Sequence, residues 1–256
     1  SALGIYQVVY RVANLGATNI TDVVSAVTFP AYARLQGNPA RLRGAYFRVL
    51  STTMLITAPA ALGMLAIAPV FVRVALGEKW SDAIIPLRIL SIYGLGHSFG
   101  GTTGPLFNAT GNPRILARLA MLDLLAIAVL IWPATRLAGL AGTCLAVTLP
   151  MVACQAYGVV LLSRIIEARP MEVIRLLVQP VAAAMLMCAA LWPLLHAGPP
   201  NAGWLAVLIA SGATAYALSL LAVSGAAGRR RWLTLGKELL AHTGLSPDRQ
   251  PNGEHA

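Results

Sequence analysis

Five ionisable side chains lie inside long apolar stretches of this sequence, and they are the residues best placed to do chemistry. They are Arg11, Asp22, Arg88, His97 and Asp123. A charged group at membrane depth is costly unless it faces the interior of a helix bundle or a water-filled cavity. We therefore treat these five residues as the candidate functional groups.

Arg11 and Arg88 are candidates for binding an anion. The planar fork of arginine stays charged and donates two parallel hydrogen bonds, a geometry that suits phosphate. Two arginines at one depth could form a single anion site. Snorkelling of each side chain to the membrane surface is the alternative, and it applies to Asp22 as well.

Asp22, His97 and Asp123 are candidates for ion coupling. A histidine and a carboxylate at a similar depth could carry a proton relay. A neutral hydrogen bond that holds two helices together explains the same His97 and Asp123 pair, and both readings stay open.

The elements that must position these groups are membrane helices. The chain is 57% hydrophobic, 11% charged and has a mean hydropathy of +0.71, whereas soluble domains carry about a quarter charged residues. The apolar runs are continuous rather than alternating, which predicts helices and not a membrane β-barrel. The sequence therefore predicts an all-α membrane protein.

Seven apolar segments are long enough to cross a bilayer. They cover approximately 5–28, 49–73, 84–107, 115–134, 138–162, 173–195 and 204–223. We expect residues 1–228 to form one transmembrane bundle and residues 229–256 to form a basic cytoplasmic tail that is partly disordered. The chain is expected to begin within a longer protein, because Ser1 to Gly4 do not resemble a signal peptide.

The basic residues predict how the bundle is oriented. Alternate connections and the tail hold fourteen Lys and Arg residues, the opposite connections hold three, and Arg11 and Arg88 remain inside spans. The positive-inside rule then places the N-terminal end outside and the C-terminus in the cytoplasm. In this topology the two arginines lie near the outer boundary, and Asp22, His97 and Asp123 lie in the inner half. The net charge of +10 is a topology signal, so no nucleic-acid partner is predicted.

The third span carries a ladder of glycines, Gly96, Gly100 and Gly104, on one helix face. Such spacing predicts close helix packing, because small residues let another backbone approach in lipid. Cys144, Cys154 and Cys188 lie in apolar spans without metal-ligand spacing, so neither a metal site nor a disulfide is predicted. No cofactor is predicted.

Three motifs in order carry a resemblance to a known family. They are VSAVTFPAYARLQGNPARLRGAY, LGEKWSDAIIPLRILS and GPLFNATGNPRI, within about 3–118. This pattern resembles the C-terminal part of Wzx-like polysaccharide transporters, the lipid-linked oligosaccharide flippases of the multidrug/oligosaccharidyl-lipid/polysaccharide exporter superfamily.

The resemblance implies a two-lobed protein of the bacterial inner membrane in which this chain is the second lobe. It implies that an undecaprenyl-pyrophosphate-linked glycan moves to the periplasmic leaflet by alternating access, with Arg11 and Arg88 contacting pyrophosphate or sugar. The implied partners are membrane lipid, the missing N-terminal half, and the glycan polymerase and glycosyltransferases of the same system.

Other function classes compete with the flippase hypothesis. A multidrug or cation antiporter of the same superfamily would use Asp22 and Asp123 to bind cations. A seven-helix receptor fits the span count, but a retinal protein needs a lysine in mid-membrane, and Lys79 and Lys237 lie outside the spans. The chain has no HExxH helix, GxSxG turn or P-loop, so we predict no catalytic residue and no enzyme activity.

Overall fold

The computed structural model describes residues 2–195 and 197–223, leaving aside the side chains of 2–3, 14–23 and 223. The predicted tail, 229–256, and the side chain of Asp22 lie outside the described residues. The α-helices are α1 (Ala2–Leu35), α2 (Pro39–Phe71), α3 (Ile84–Ala109), α4 (Pro113–Ile165), α5 (Pro170–Leu195) and α6 (Ala202–Val223). No strand occurs in the described ranges, and the predicted all-α class is confirmed.

The long helix α4 consists of two antiparallel arms, 113–137 and 140–165. The backbone breaks at Gly139, whose φ of 55° favours glycine. Across the break, the hydroxyls of Thr135 and Thr143 are 2.9 Å apart. Further from it, Leu119 of the first arm lies 3.5 Å from where a Cβ on Gly158 would be. Since contacts join the arms at both places, α4 is a hairpin, and the bundle holds seven helical segments in the described ranges.

Five of the seven predicted spans lie within one of these segments, and the other two, 49–73 and 138–162, each extend two residues beyond theirs. Four helices of the described chain are long and apolar enough to cross a membrane. They are Pro39–Leu76, Pro113–Ile165, Pro170–Leu195 and Ala202–Ala222. Because Pro113–Ile165 contains two arms, these helices account for five predicted spans. Membrane crossing by α1 and α3, which carry the polar candidates and the glycine ladder, stays a prediction.

Prolines begin or distort several helices. Pro39, Pro113 and Pro170 each occupy the first position of a helix, where the missing N–H costs nothing. Shortly after Pro69, the chain continues as a π-helical turn, Val72–Leu76. A proline removes one hydrogen bond of the regular ladder, so a local change of helix type at this place has a clear cause.

Helix α3 is the centre of the bundle. It packs against α1, α2 and α4, while α5 packs on α2 and α6. Polar bonds join α3 to its neighbours: the Ser25 hydroxyl donates to the carbonyl of Gly101 at 2.8 Å, and the hydroxyls of Tyr46 and Thr103 are 3.1 Å apart in the core. Residues on α3 are therefore held in fixed positions relative to α1 and α2.

Two arginine-rich connections meet at one end of the bundle. Arg43, near the start of α2, donates to the backbone carbonyl of Glu167 at 3.3 Å and lies 4.0 Å from the carboxylate of Glu172. The connections between α1 and α2 and between α4 and α5 thus lie on the same side. This agrees with their shared side in the predicted topology.

Candidate functional site

Helix α3 presents its two candidate residues to opposite sides. Arg88 and His97 are nine residues apart, which at about 100° per residue corresponds to half a turn of net rotation. Each side chain lines a different cavity. The lobe therefore has two separate candidate sites.

The first cavity lies between α3, both arms of α4 and the Ser25 region of α1, and has a volume of about 560 Å³. His97 reaches it from α3, and Asp123 reaches it from the first arm of α4. The other polar side chains in its lining are Ser25, Tyr93, Thr103, Asn108, Cys154 and Gln155. The structure thus brings together two of the three predicted coupling residues, whereas the side chain of Asp22 lies outside the described residues.

His97 and Asp123 are both left with unused hydrogen-bonding capacity. His97 Nδ1 and Asp123 Oδ1 are buried, and neither has a hydrogen-bond partner among the described residues. The His97 ring lies against Tyr93, with 6.1 Å between ring centroids and 29° between the planes. A buried polar atom without a partner is costly unless water or a ligand satisfies it. The cavity is polar and large enough for several water molecules.

The glycine ladder of α3 faces α4. A Cβ on Gly96 would lie 2.5 Å from the sulfur of Met151, and one on Gly100 would collide with the Gln155 amide. At Gly104 the nearest atom, on Leu116, would be 3.9 Å away, an ordinary contact. Two of the three predicted packing glycines therefore lie where α4 side chains enter the surface of α3.

Gln155 is a site residue that the sequence reasoning missed. Its Nε2 donates to the carbonyl of Gly96 at 3.1 Å. It lines both the polar cavity and an apolar groove of about 410 Å³ between α3, the second arm of α4 and α5. An isolated amide in the otherwise apolar fifth span was the signal that could have identified it.

The second cavity surrounds Arg88 and has a volume of about 700 Å³. Its other described lining residues are Leu65, Ala66, Cys188, Ala189, Trp192 and Leu195, from α2 and α5. Arg88 Nε is buried without a hydrogen-bond partner among the described residues. The described lining therefore offers the Arg88 guanidinium no acidic side chain.

Arg11 lies elsewhere on the lobe. Its side chain is exposed on α1, two residues after the buried Val9. The described lining of the Arg88 cavity contains no residue of α1. The structure does not bring the two arginines into one cavity, and a single site made of both stays a prediction.

Sequence comparisons support the resemblance drawn from the motifs. The profile of a family described as "Polysaccharide biosynthesis protein" matches residues 1–85. The lipopolysaccharide biosynthesis protein WzxC of Escherichia coli (strain K12) is 33% identical over 112 residues, 44% of this chain and 23% of WzxC. The teichuronic acid biosynthesis protein TuaB of Bacillus subtilis (strain 168) is 26% identical over 111 residues, 43% of this chain and 23% of TuaB. The chain thus spans about a quarter of the length of these curated relatives.

A structural comparison supports the fold. A solved structure described as lipid II flippase MurJ, inward closed conformation, superposes with a TM-score of 0.70 at 18% sequence identity. The match covers 86% of this chain and 46% of the MurJ chain. Together, the fold, the apolar helices and the family matches confirm the predicted resemblance to Wzx-like flippases and identify a multi-pass α-helical membrane protein.

Proposed function

We propose that this chain is the C-terminal lobe of a transporter that flips lipid-linked oligosaccharide across the bacterial inner membrane by alternating access. The observation that carries the proposal is the superposition of nearly the whole chain on less than half of a protein described as a flippase. Relatives named for lipopolysaccharide and teichuronic acid biosynthesis support a glycan as the cargo. In this proposal the full-length parent, and not this lobe alone, carries out transport, and the lobe contributes no chemical catalysis.

In this proposal the bundle has its arginine-rich end in the cytoplasm, together with the C-terminus. The contacts of Arg43 with Glu167 and Glu172 support a shared end for two of the basic connections, and the positive-inside rule assigns that end to the cytoplasm. The other lobe, membrane lipid, and the polymerase and glycosyltransferases of the same system are the proposed partners.

Arg88 and Arg11 would act on the anionic part of the cargo. A guanidinium in an apolar cavity attracts phosphate more strongly than one in water, because the interaction is less screened. Because the two arginines have separate surroundings, we propose that the cargo contacts them one after the other and not both at the same time. Asp22, His97 and Asp123 would serve ion coupling.

The competing candidate is a multidrug or cation antiporter, which the unpartnered carboxylate oxygen of Asp123 would suit. The names of the relatives favour the glycan, since they concern polysaccharide biosynthesis. Both candidates place a transporter in the membrane, so the cargo is what an experiment must decide.

Deletion of the full-length parent gene tests the cargo. We expect loss of the surface glycan and accumulation of its lipid-linked precursor in the inner leaflet, both restored by the parent on a plasmid. The measurements are surface glycan by immunoblot and lipid-linked precursor by mass spectrometry. Intact surface glycan together with new drug sensitivity would favour the antiporter and reject our proposal.

A further inference from the structure

We infer that the cavity between α3 and α4 is a proton-binding site in which His97 and Asp123 together bind one exchangeable proton, although no hydrogen bond or ion pair joins the two side chains in the described structure. Both side chains line the same cavity of about 560 Å³ from different helices. Each has a buried atom without a hydrogen-bond partner among the described residues. The site itself follows from this geometry, and only its coupling to cargo movement rests on the proposed function.

The titratable groups that line the cavity favour a proton as its ligand. The titratable groups that line it are His97 and Tyr93 on α3, and Asp123 and Cys154 on α4. The ring of Tyr10 on α1 lies against that of Tyr93, with 5.9 Å between centroids and 48° between the planes, and α2 contributes no residue to the described lining. No Lys or Arg is among the described lining residues, so His97 is the basic group available to Asp123.

An isolated carboxylate in a partly buried cavity is unfavourable unless a positive charge balances it. When the lone pair of the His97 imidazole takes a proton from water, the cavity changes from a net charge of −1 to zero. When the proton returns to water, the charge of −1 is restored. As the N–H bond forms, an O–H bond of hydronium breaks and leaves water; the return step reverses both changes, and no electron is transferred.

A proton fits this site better than a metal ion does. No group of three His, Cys, Asp or Glu side chains in the described residues is arranged to hold a metal. Histidine is the side chain whose ordinary titration falls near neutral pH. Ser25, Asn108 and Gln155 add neutral hydrogen-bonding groups that would hold water beside the pair.

The native cysteines make the proposal measurable in the full-length parent. Cys154 lines the proposed proton site, Cys188 lines the Arg88 cavity, and Cys144 is fully buried. The parent, in lipid nanodiscs, is treated with a cationic or an anionic methanethiosulfonate, and mass spectrometry quantifies each labelled cysteine peptide. Both reagents react with the thiolate of the same cysteine. The ratio of the two labelling rates is therefore independent of the amount of thiolate at each pH, and it reports the charge of the cavity.

At Cys154 we expect the cationic-to-anionic ratio to fall about tenfold between about pH 8 and about pH 5, as the cavity gains one positive charge. At Cys188, on the opposite side of α3, we expect no comparable change. An unreactive Cys154, or a ratio there that is independent of pH, overturns the proposal.

Substitutions test whether His97 and Asp123 cause the pH dependence of labelling at Cys154. Asp123→Asn and His97→Gln should each abolish the pH dependence at Cys154, whereas Ala120→Ser, a neutral change elsewhere in the same lining, should preserve it. An unchanged labelling rate at Cys188 verifies that each variant is folded. A pH dependence that survives both titratable substitutions overturns the assignment.

The same variants separate this site from the proposed function. Loss of the pH-dependent ratio in Asp123→Asn together with normal glycan export supports the proton site and overturns its coupling to transport. Loss of both supports the site and the coupling. If deletion of the parent leaves the surface glycan intact, the proposed cargo is wrong, and the labelling result still decides the proton site.

Discussion

Arg88 carries a charge that no acidic side chain in the described lining of its cavity balances. Its Nε is buried in a cavity whose described lining is otherwise apolar, aromatic or Cys188. Such a group is stabilised either by reaching the interface or by binding an anion. Arg11, exposed on α1, belongs to different surroundings. The two arginines can therefore be tested as independent contacts.

Single and double substitutions of these arginines should behave additively. We expect Arg88→Gln and Arg11→Gln each to lower the rate of glycan export by about tenfold, the usual effect of losing a hydrogen bond to a charged group. Because the residues do not share a cavity, the double variant should equal the product of the single effects within about twofold. The measurement is the initial rate of surface glycan appearance at equal protein level.

Arg88→Lys is the matched control, because it keeps the charge and removes the planar fork. Partial activity in this variant would assign most of the effect to charge. A double variant no slower than the slower single variant would mean that both arginines act on one anion at the same moment, as the sequence first suggested.

At the residue scale, the sequence singled out candidate side chains, but it did not predict which residues surround them. The rule that charges avoid lipid identified His97 and Asp123, and the structure places both in one cavity. The same rule could not tell that Arg88 faces α2 and α5. Depth along a helix follows from residue number, but the direction of a side chain depends on which helices pack around it.

At the element scale, close contact between α3 and α4 depends on glycine. Met151 and Gln155 occupy the space that side chains at Gly96 and Gly100 would need, and Gln155 bonds the carbonyl of Gly96. Gly104 has an ordinary contact distance to its neighbour. The three glycines of one ladder thus differ in what they contribute.

This difference predicts opposite effects of two similar substitutions. Gly100→Ala should lower the free energy of unfolding by about 1 kcal/mol, because the new methyl group displaces the flexible Gln155 amide and breaks its hydrogen bond to the Gly96 carbonyl. Gly104→Ala should be neutral or stabilising by up to about 1 kcal/mol, since alanine favours helix and the site has room. Thermal unfolding of the purified parent in detergent measures both. Equal losses of stability in the two variants would contradict this account of the interface.

The sequence predicted the helices well and their connections less well. Each predicted span overlaps one helical segment, because apolar length is a local property, and the crossing of the membrane by each span stays a prediction. The hairpin in α4 depends on the Gly139 backbone and on contacts between residues some forty positions apart, such as Leu119 and Gly158. The sequence indicated that a turn separates the two arms of α4, but it did not indicate the tight geometry of that turn.

At the scale of the whole molecule, the lobe has two cavities of different character on opposite sides of α3. The polar one contains His97 and Asp123, and the mainly apolar one contains Arg88. The lobe superposes on 46% of the solved flippase chain, so a second lobe of similar size would complete the assembly that we propose.

Orientation leads to a prediction about the two ends of the bundle. The connection between α4 and α5, at 166–169, lies beside Arg43 and is expected in the cytoplasm, whereas the uncharged stretch 197–201 between α5 and α6 is expected outside. In intact cells, Asn201→Cys should react with a membrane-impermeant maleimide, and Ala168→Cys should react only after the membrane is permeabilised. Both substitutions are made in a parent lacking its native cysteines.

The reverse labelling pattern would invert the lobe and move the candidate residues with it. Arg88 would then lie toward the cytoplasmic leaflet, and the pair His97 and Asp123 toward the periplasm. The proposed order of contacts would have to be reversed, because the cargo would meet Arg88 at loading rather than at release. Labelling of Asn201→Cys alone in intact cells keeps the proton site in the inner half, where His97 can exchange a proton with the cytoplasm while the cavity is open inward.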